Sequence, residues 1–204
     1  MGNRHTLPTV KKLDLDIDLD KLKAEVDALA SNYIDVMSAN PSLCENHVDL
    51  VKSVYDNFEQ INLTVASEVM PFESSIKERL KRREEHMYNV PTPEYSGSYI
   101  ESIVQQCKAP ASRVRITKLA PGKIIPFHTD YDVSYGVRII VPVYTSPNVI
   151  NMFFRNGGVD SHRLEAGIAH FLNIGYPHGV VNMGEEPRIA LMFTLDGVED
   201  LGHI

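Results

Sequence analysis

Cysteine is scarce in this sequence. The chain of 204 residues has two, Cys44 and Cys107, far apart and without C-x-x-C spacing. They could pair, but a disulfide framework fits poorly, and a reducing cytoplasm is the expected setting. Long apolar runs are missing too. None approaches the roughly 18 residues of a membrane span, and the N-terminus lacks the apolar stretch of a secretory signal. Met1-Gly2 with Thr6 does fit the myristoylation pattern M-G-x-x-x-[ST]. That pattern is short and acts only in a cell that has the transferase. The sequon Asn62-Leu63-Thr64 has no role without secretion. Positive charge is not in excess: 20 Lys and Arg stand against 27 Asp and Glu, a formal net charge of −7. A phosphate-binding surface needs the opposite balance, which argues against nucleic acid as the main ligand. A local basic pocket is not excluded. Internal repeats and low-complexity linkers are also absent. At roughly 150 residues per domain, one domain over 1–204 is expected. A chain this long buries roughly 70% of its unfolded surface and needs no staples to fold.

The texture changes near residue 110. Before it, the pattern is mostly helical. Leu22, Val26, Leu29, Ala30, Tyr33 and Met37 recur at helical spacing until Asn40-Pro41. Val48, Val51, Tyr55 and Phe58 suggest a second helix, Ile76 to His86 a charged one, and Tyr99 to Cys107 another. After it come short strands with turn signals: Arg113 to Leu119, Lys123 to Phe127, Gly136 to Tyr144, Val149 to Phe154, Gly167 to Ile174, Gly179 to Asn182 and Arg188 to Leu195. Gly184-Glu185-Glu186-Pro187 between the last two reads as a hairpin turn. About seven short antiparallel strands after a helical half predict a mainly β fold, a β-sandwich or jelly roll supported by N-terminal helices.

Two acidic or basic runs have ordinary readings. Asp14, Asp16, Asp18 and Glu25 match the ligand spacing of a calcium loop, but Leu19 stands where the sharp turn wants glycine. Alternating Leu and Asp from Leu13 to Asp20 reads better as an edge strand running into a helix that starts near Asp18 or Asp20. Glu78, Glu84 and Glu85 interleave the basic run Lys77 to Arg83, which reads as a solvated helix face.

The chemistry gathers in the second half. His128 and Asp130, at i and i+2, point to one side of a strand end, and Pro177-His178 follows. Two imidazoles and a carboxylate on one face of iron(II) leave open positions for a bidentate cosubstrate and dioxygen. A hydrolytic zinc site could use the same residue types. Arg188, ten residues after His178, can clamp a carboxylate in fork geometry close to the metal. A dicarboxylic keto acid spans such a gap. Thr117 could donate its hydroxyl to the same carboxylate.

The stretches RVRITKLAPGKIIPFHTDY, VRIIVPVYTSPNVINMFF and HFLNIGYPHGVVNMGEEPRIALMFTLDG resemble the aspartyl/asparaginyl β-hydroxylase family of iron(II)/2-oxoglutarate oxygenases, nearest its bacterial branch with the proline hydroxylases. The resemblance covers about residues 95 to 197. It implies a double-stranded β-helix core over about 111–197 with a helix-rich support over about 1–110. It also implies Fe(II) at His128, Asp130 and His178, and 2-oxoglutarate held by Arg188 and Thr117. The implied reaction hydroxylates a C–H bond of an amino acid, peptidyl residue or related small molecule with dioxygen, releasing succinate and CO2. Where many members carry a histidine two residues after the Arg138 position, this chain has Ile140. The chain stops soon after Gly197, which argues against free proline as substrate. Retention of Asp130 argues against halogenation.

Further residues have weaker signals. Arg138 could bind a cosubstrate or substrate carboxylate, or pair with a surface acid. His162 and His170 are rival ligands, with His170 better read as a core or pocket histidine. Asn173 and Asn182 could orient His178. Tyr131, Tyr135 and Arg155 are candidate rim residues. Two other functions compete with the oxygenase: a cupin-like metal protein that does not use 2-oxoglutarate, and an inert β-sandwich that binds a partner. Oligomeric state is not legible.

Overall fold

The computed structural model describes residues 7–35, 58–71 and 74–202. Eight strands form two facing sheets. They are β6 (Ala111–Leu119), β7 (Ile124–His128), β8 (Val137–Tyr144), β9 (Val149–Arg155), β10 (Gly158–His162), β11 (Ala169–Leu172), β12 (His178–Asn182) and β13 (Arg188–Leu195). One sheet runs β11-β8-β13-β6 and the other β10-β9-β12-β7, all antiparallel. This interleaving is the double-stranded β-helix expected from the sequence.

The larger sheet is extended at both edges by strands of the first half. β1 (Val10–Leu13) pairs with β11. On the other side β3 (Phe58–Asn62) pairs with β6, and β2 (Ile34–Asp35) with β3. A separate pair joins β4 (Thr64–Val65) to β5 (Val90–Pro91). The first half is therefore less helical than its periodicity suggests. The edge strand lies upstream of the Leu-Asp alternation. Phe58, expected on a helix, begins β3; Val48, Val51 and Tyr55 lie outside the described residues, as do Cys44 and the Met1-Gly2 pattern.

α1 (Leu19–Ala28) starts where Asp18 accepts from the amides of Asp20 and Lys21. Asp18 thus serves as a helix cap, and Glu25 accepts from the Ile100 amide at 3.0 Å, so two of the four acids of the calcium pattern are spent on backbone amides. α1 ends at Leu29, far short of Met37. The charged run is not one solvated helix either. Ser75 and Glu78 form a capping box at the start of α2 (Ile76–Lys81). The chain then breaks at Arg83, in the left-handed region at φ 56°, before α3 (Glu84–Met87). That break turns Glu85 into the protein. Ser98 caps α4 (Tyr99–Val104).

The larger sheet is buried on both faces. Its outer face (Val114, Ile116, Ile139, Val141, Phe171, Leu191, Phe193) packs with Leu22 and Val26 of α1 and with Ile100 and Ile103 of α4. Each such buried aliphatic contributes roughly 1.5–3 kcal/mol. Its inner face puts Ile140, Leu172 and Ala190 against Phe153 of the smaller sheet. The intervening inward positions carry Arg113, Arg115, Thr117, Arg138 and Arg188.

The turn at Gly184–Pro187 is not a hairpin, because β12 and β13 belong to different sheets. It carries the chain across the barrel, so His178 and Arg188 stand on opposite sheets. Asn182 ties this turn down: its Nδ2 donates to the carbonyls of Leu119, Ala120 and Glu186, and its Oδ1 accepts from Gly184 N. It therefore positions Arg188 and does not orient His178. The tight β9–β10 hairpin uses Asn156 and Gly157, both at positive φ.

Candidate metal centre and the arginines behind it

β7 and β12 pair so that His128 and His178 lie directly opposite. Their ring centroids are 4.3 Å apart. Asp130, just past β7, is fixed by its amide, which donates to Ile174 O at 3.2 Å. Its Oδ1 is 3.6 Å from His128 Nε2. One ligand atom from each of His128, Asp130 and His178 lies within 4.8 Å of the others. These three side chains are the ones that would hold a divalent ion.

The backbone selects the imidazole tautomers. His128 Nδ1 is 2.8 Å from Pro126 O, and His178 Nδ1 is 3.0 Å from Tyr176 O. A carbonyl can only accept, so each Nδ1 carries the proton and each Nε2 offers a lone pair. Burial first, and then the neighbouring His128, hold the His178 pKa below the ordinary histidine value. His178 is thus neutral at pH 7, as a metal ligand must be. The donor set and its tautomers fit a divalent metal.

Gly179 makes the pairing possible. A Cβ there would stand 2.7 Å from Ile125 O, at the bulge between His178 and Val180. Gly179→Ala should lower stability by about 1–3 kcal/mol and weaken divalent-metal binding by spreading β7 from β12. Thermal unfolding with and without metal checks this; an unchanged metal response would show that the register tolerates the methyl.

Arg188 opens β13 and is buried, 3% exposed. Its Nη1 donates to Thr117 Oγ1 at 3.3 Å. Thr117 is itself fully buried and donates to Ala190 O at 3.3 Å. Thr117 thus holds the guanidinium from behind. No carboxylate among the described residues approaches Arg188, and burial alone pulls its pKa down to about 10.

Arg138 sits at the metal end of the barrel. The acid that it meets is not on the surface: buried Glu85 accepts from Arg138 Nη2 at 2.8 Å. The same nitrogen donates to Tyr131 Oη at 2.7 Å and stands 3.9 Å from Asp130 Oδ2. Glu85 also accepts from Thr194 and faces Arg113 at 3.4 Å. Burial raises the Glu85 pKa, but Arg113 and Arg138 overcome it and hold the carboxyl at about 2.

Glu85, Arg113 and Arg115 escape a sequence reading. Arg113 and Arg115 share the face of β6 that carries Thr117, and that face lines the barrel. Of the other candidates, His170 is buried on β11, and His162 bonds Thr9 Oγ1 at 3.0 Å, so neither joins the centre. The Tyr135 ring meets His86 tilted, with centroids 5.3 Å apart, and Arg155 lies over the Tyr176 ring at 5.4 Å.

The class that the structure defines is a double-stranded β-helix with two histidines and an aspartate gathered at one end. The sequence matches the profile of the aspartyl/asparaginyl beta-hydroxylases over residues 73–196, more than half of its length, and the chain belongs to that family. Among solved structures it is similar to a 2OG-Fe(II) oxygenase family oxidoreductase from Burkholderia pseudomallei (12% identity, 84% of this chain and 76% of that one, TM-score 0.46). It is also similar to a cupin domain from Bordetella pertussis Tohama I (17% identity, 45% of this chain and 88% of that one, TM-score 0.34). No curated protein matches the sequence. Among the described residues, no helix is long and apolar enough to cross a membrane.

Proposed function

We propose that this protein is an iron(II)- and 2-oxoglutarate-dependent dioxygenase that hydroxylates a C–H bond of an amino acid, a peptidyl residue or a related small molecule. The observation that carries the reading is Arg188: a buried guanidinium with no acid partner among the described residues, across the barrel from a two-histidine, one-carboxylate centre. An isolated buried cation is costly, and a dicarboxylate that reaches the metal relieves that cost.

Bound iron(II) with 2-oxoglutarate and dioxygen would supply the oxidising chemistry, leaving succinate and CO2. His128 and His178 would hold the metal through Nε2, with Asp130 as the third ligand. Three ligands on one face leave positions for the cosubstrate and dioxygen. Arg188 would take the far carboxylate, held by Thr117. The protein's own work is positioning and exclusion of water. Arg138 steadies Asp130 from behind, itself fixed by Glu85 and Tyr131.

The test is thermal unfolding without oxygen. Iron(II) and 2-oxoglutarate together should stabilise the protein more than either alone, and Asp130→Ala should remove the joint effect. Stabilisation by metal with no further response to 2-oxoglutarate would instead favour a cupin-like protein that does not use it.

A further inference from the structure

Arg138 has two acids beside it and treats them unequally. Its Nη2 donates to Glu85 Oε1 at 2.8 Å and to Tyr131 Oη at 2.7 Å. That nitrogen carries two protons, so both are spent. Asp130 Oδ2 stands 3.9 Å from the same nitrogen, within Coulomb range but beyond a hydrogen bond. Nη1 meets Met192 Sδ at 2.9 Å, and thioether sulfur is a weak acceptor. Arg138 is buried, so water does not take the place of an acid. The guanidinium is thus drawn towards a candidate metal ligand and held off it. Glu85 does the holding, from α3, outside the barrel strands. Its Oε1 also accepts from Thr194 Oγ1 at 3.1 Å and Tyr131 Oη at 3.3 Å, while Oε2 faces Arg113 at 3.4 Å. These contacts fix the carboxylate in place.

We propose that Glu85 is a positioning residue for the metal centre: by accepting from Arg138 it keeps the guanidinium from closing on Asp130, and so leaves Asp130 free to hold a divalent ion. A carboxylate engaged by arginine in a charged hydrogen bond gives up a lone pair and much of its charge, so an ion pair with Arg138 and ligation of a cation compete for Asp130. At 3.9 Å Arg138 orients Asp130 by charge alone. Without the negative charge of Glu85, Asp130 becomes the nearest full charge that Arg138 can meet. The proposal rests on the metal centre of the oxygenase reading, not on 2-oxoglutarate.

Calorimetric titration of the metal-free protein with manganese(II) and cobalt(II) at pH 7 tests this. Glu85→Gln should weaken binding about 10- to 100-fold, the usual effect of losing a group that orients a metal ligand. Arg138→Met added to Glu85→Gln should restore affinity to within about threefold of the wild type, since it removes the competitor for Asp130. A merely structural role for Glu85 predicts no such rescue, because the double variant strips the network further. With Asp130→Ala already present, Glu85→Gln should have no further effect on affinity. Should Glu85→Gln not fold, Tyr131→Phe takes its place: it frees the other Nη2 proton with both acids intact, and should weaken binding in a way that Arg138→Met again reverses. The proposal is overturned if folded Glu85→Gln, or Tyr131→Phe in its place, binds the ions as the wild type does, if Arg138→Met restores nothing, or if Glu85→Gln weakens binding as much without Asp130. A wild-type protein that binds neither ion removes the metal centre and the proposal with it. Binding of the ions with no response to 2-oxoglutarate removes the oxygenase reading alone.

Discussion

Glu85→Gln should cost about 3–5 kcal/mol of stability, the effect of breaking a buried ion pair by removing one partner. The glutamine has nearly the same shape, so packing changes little. What changes is charge. Arg138 and Arg113 would lose the carboxylate that they share, and Tyr131 and Thr194 would lose a charged acceptor. Chemical denaturation of the two proteins at pH 7 measures the difference. A loss below about 1 kcal/mol would place the network in water, since exposed pairs contribute no more than that.

The same residue predicts a pH dependence. The carboxyl titrates at about 2 in the folded protein against 4.5 for the free group. Its stabilisation is therefore complete above about pH 4.5 and is lost as pH falls towards 2, amounting to about 3 kcal/mol. Glu85→Gln should flatten this part of the acid limb. A curve for the variant that runs parallel to the wild type through this window would assign the acid sensitivity to other carboxylates.

Glu85 also shows where sequence reasoning stops. Its neighbours Lys77 to His86 are charged on every side, and charge periodicity alone points to a solvated helix. Only the left-handed residue Arg83 redirects the chain inward, and nothing in the residue type of an arginine announces positive φ. The arginines of β6 go unread for a related reason. Alternation tells which residues share a face, but not which face is wet. Here helices cover the apolar face, and the polar face lines the barrel. The candidate metal ligands leave a clearer trace, because His128, Asp130 and His178 keep an order and spacing that metal chemistry asks for, and the structure brings them together. β10 left almost no signal: Gly158 to Ser161 are exposed, and the strand exists through its pairing with β9. The turn before Arg188 reads locally as a hairpin, since a turn motif does not say whether the next strand returns to its own sheet.

The Arg188 substitution separates function from stability in the opposite sense to Glu85. Arg188→Met should leave the ligand-free protein as stable or slightly more so, because methionine fills much of the same volume and the charge it removes has no acid partner. Affinity for 2-oxoglutarate should fall steeply. Truncating one member of a buried, hydrogen-bonded charge pair costs about 2–5 kcal/mol, or roughly 30- to several-thousand-fold in affinity. Arg188→Lys should lie between, since lysine keeps the charge and loses the fork that meets both carboxylate oxygens. Metal binding should be unaffected in both variants, because Arg188 stands on the sheet opposite His128 and His178. Succinate formation against 2-oxoglutarate concentration, with metal affinity measured alongside, reads all three quantities. Unchanged affinity for 2-oxoglutarate would remove Arg188 as the clamp, and a large loss of ligand-free stability would make it a structural residue whose partner is the barrel itself.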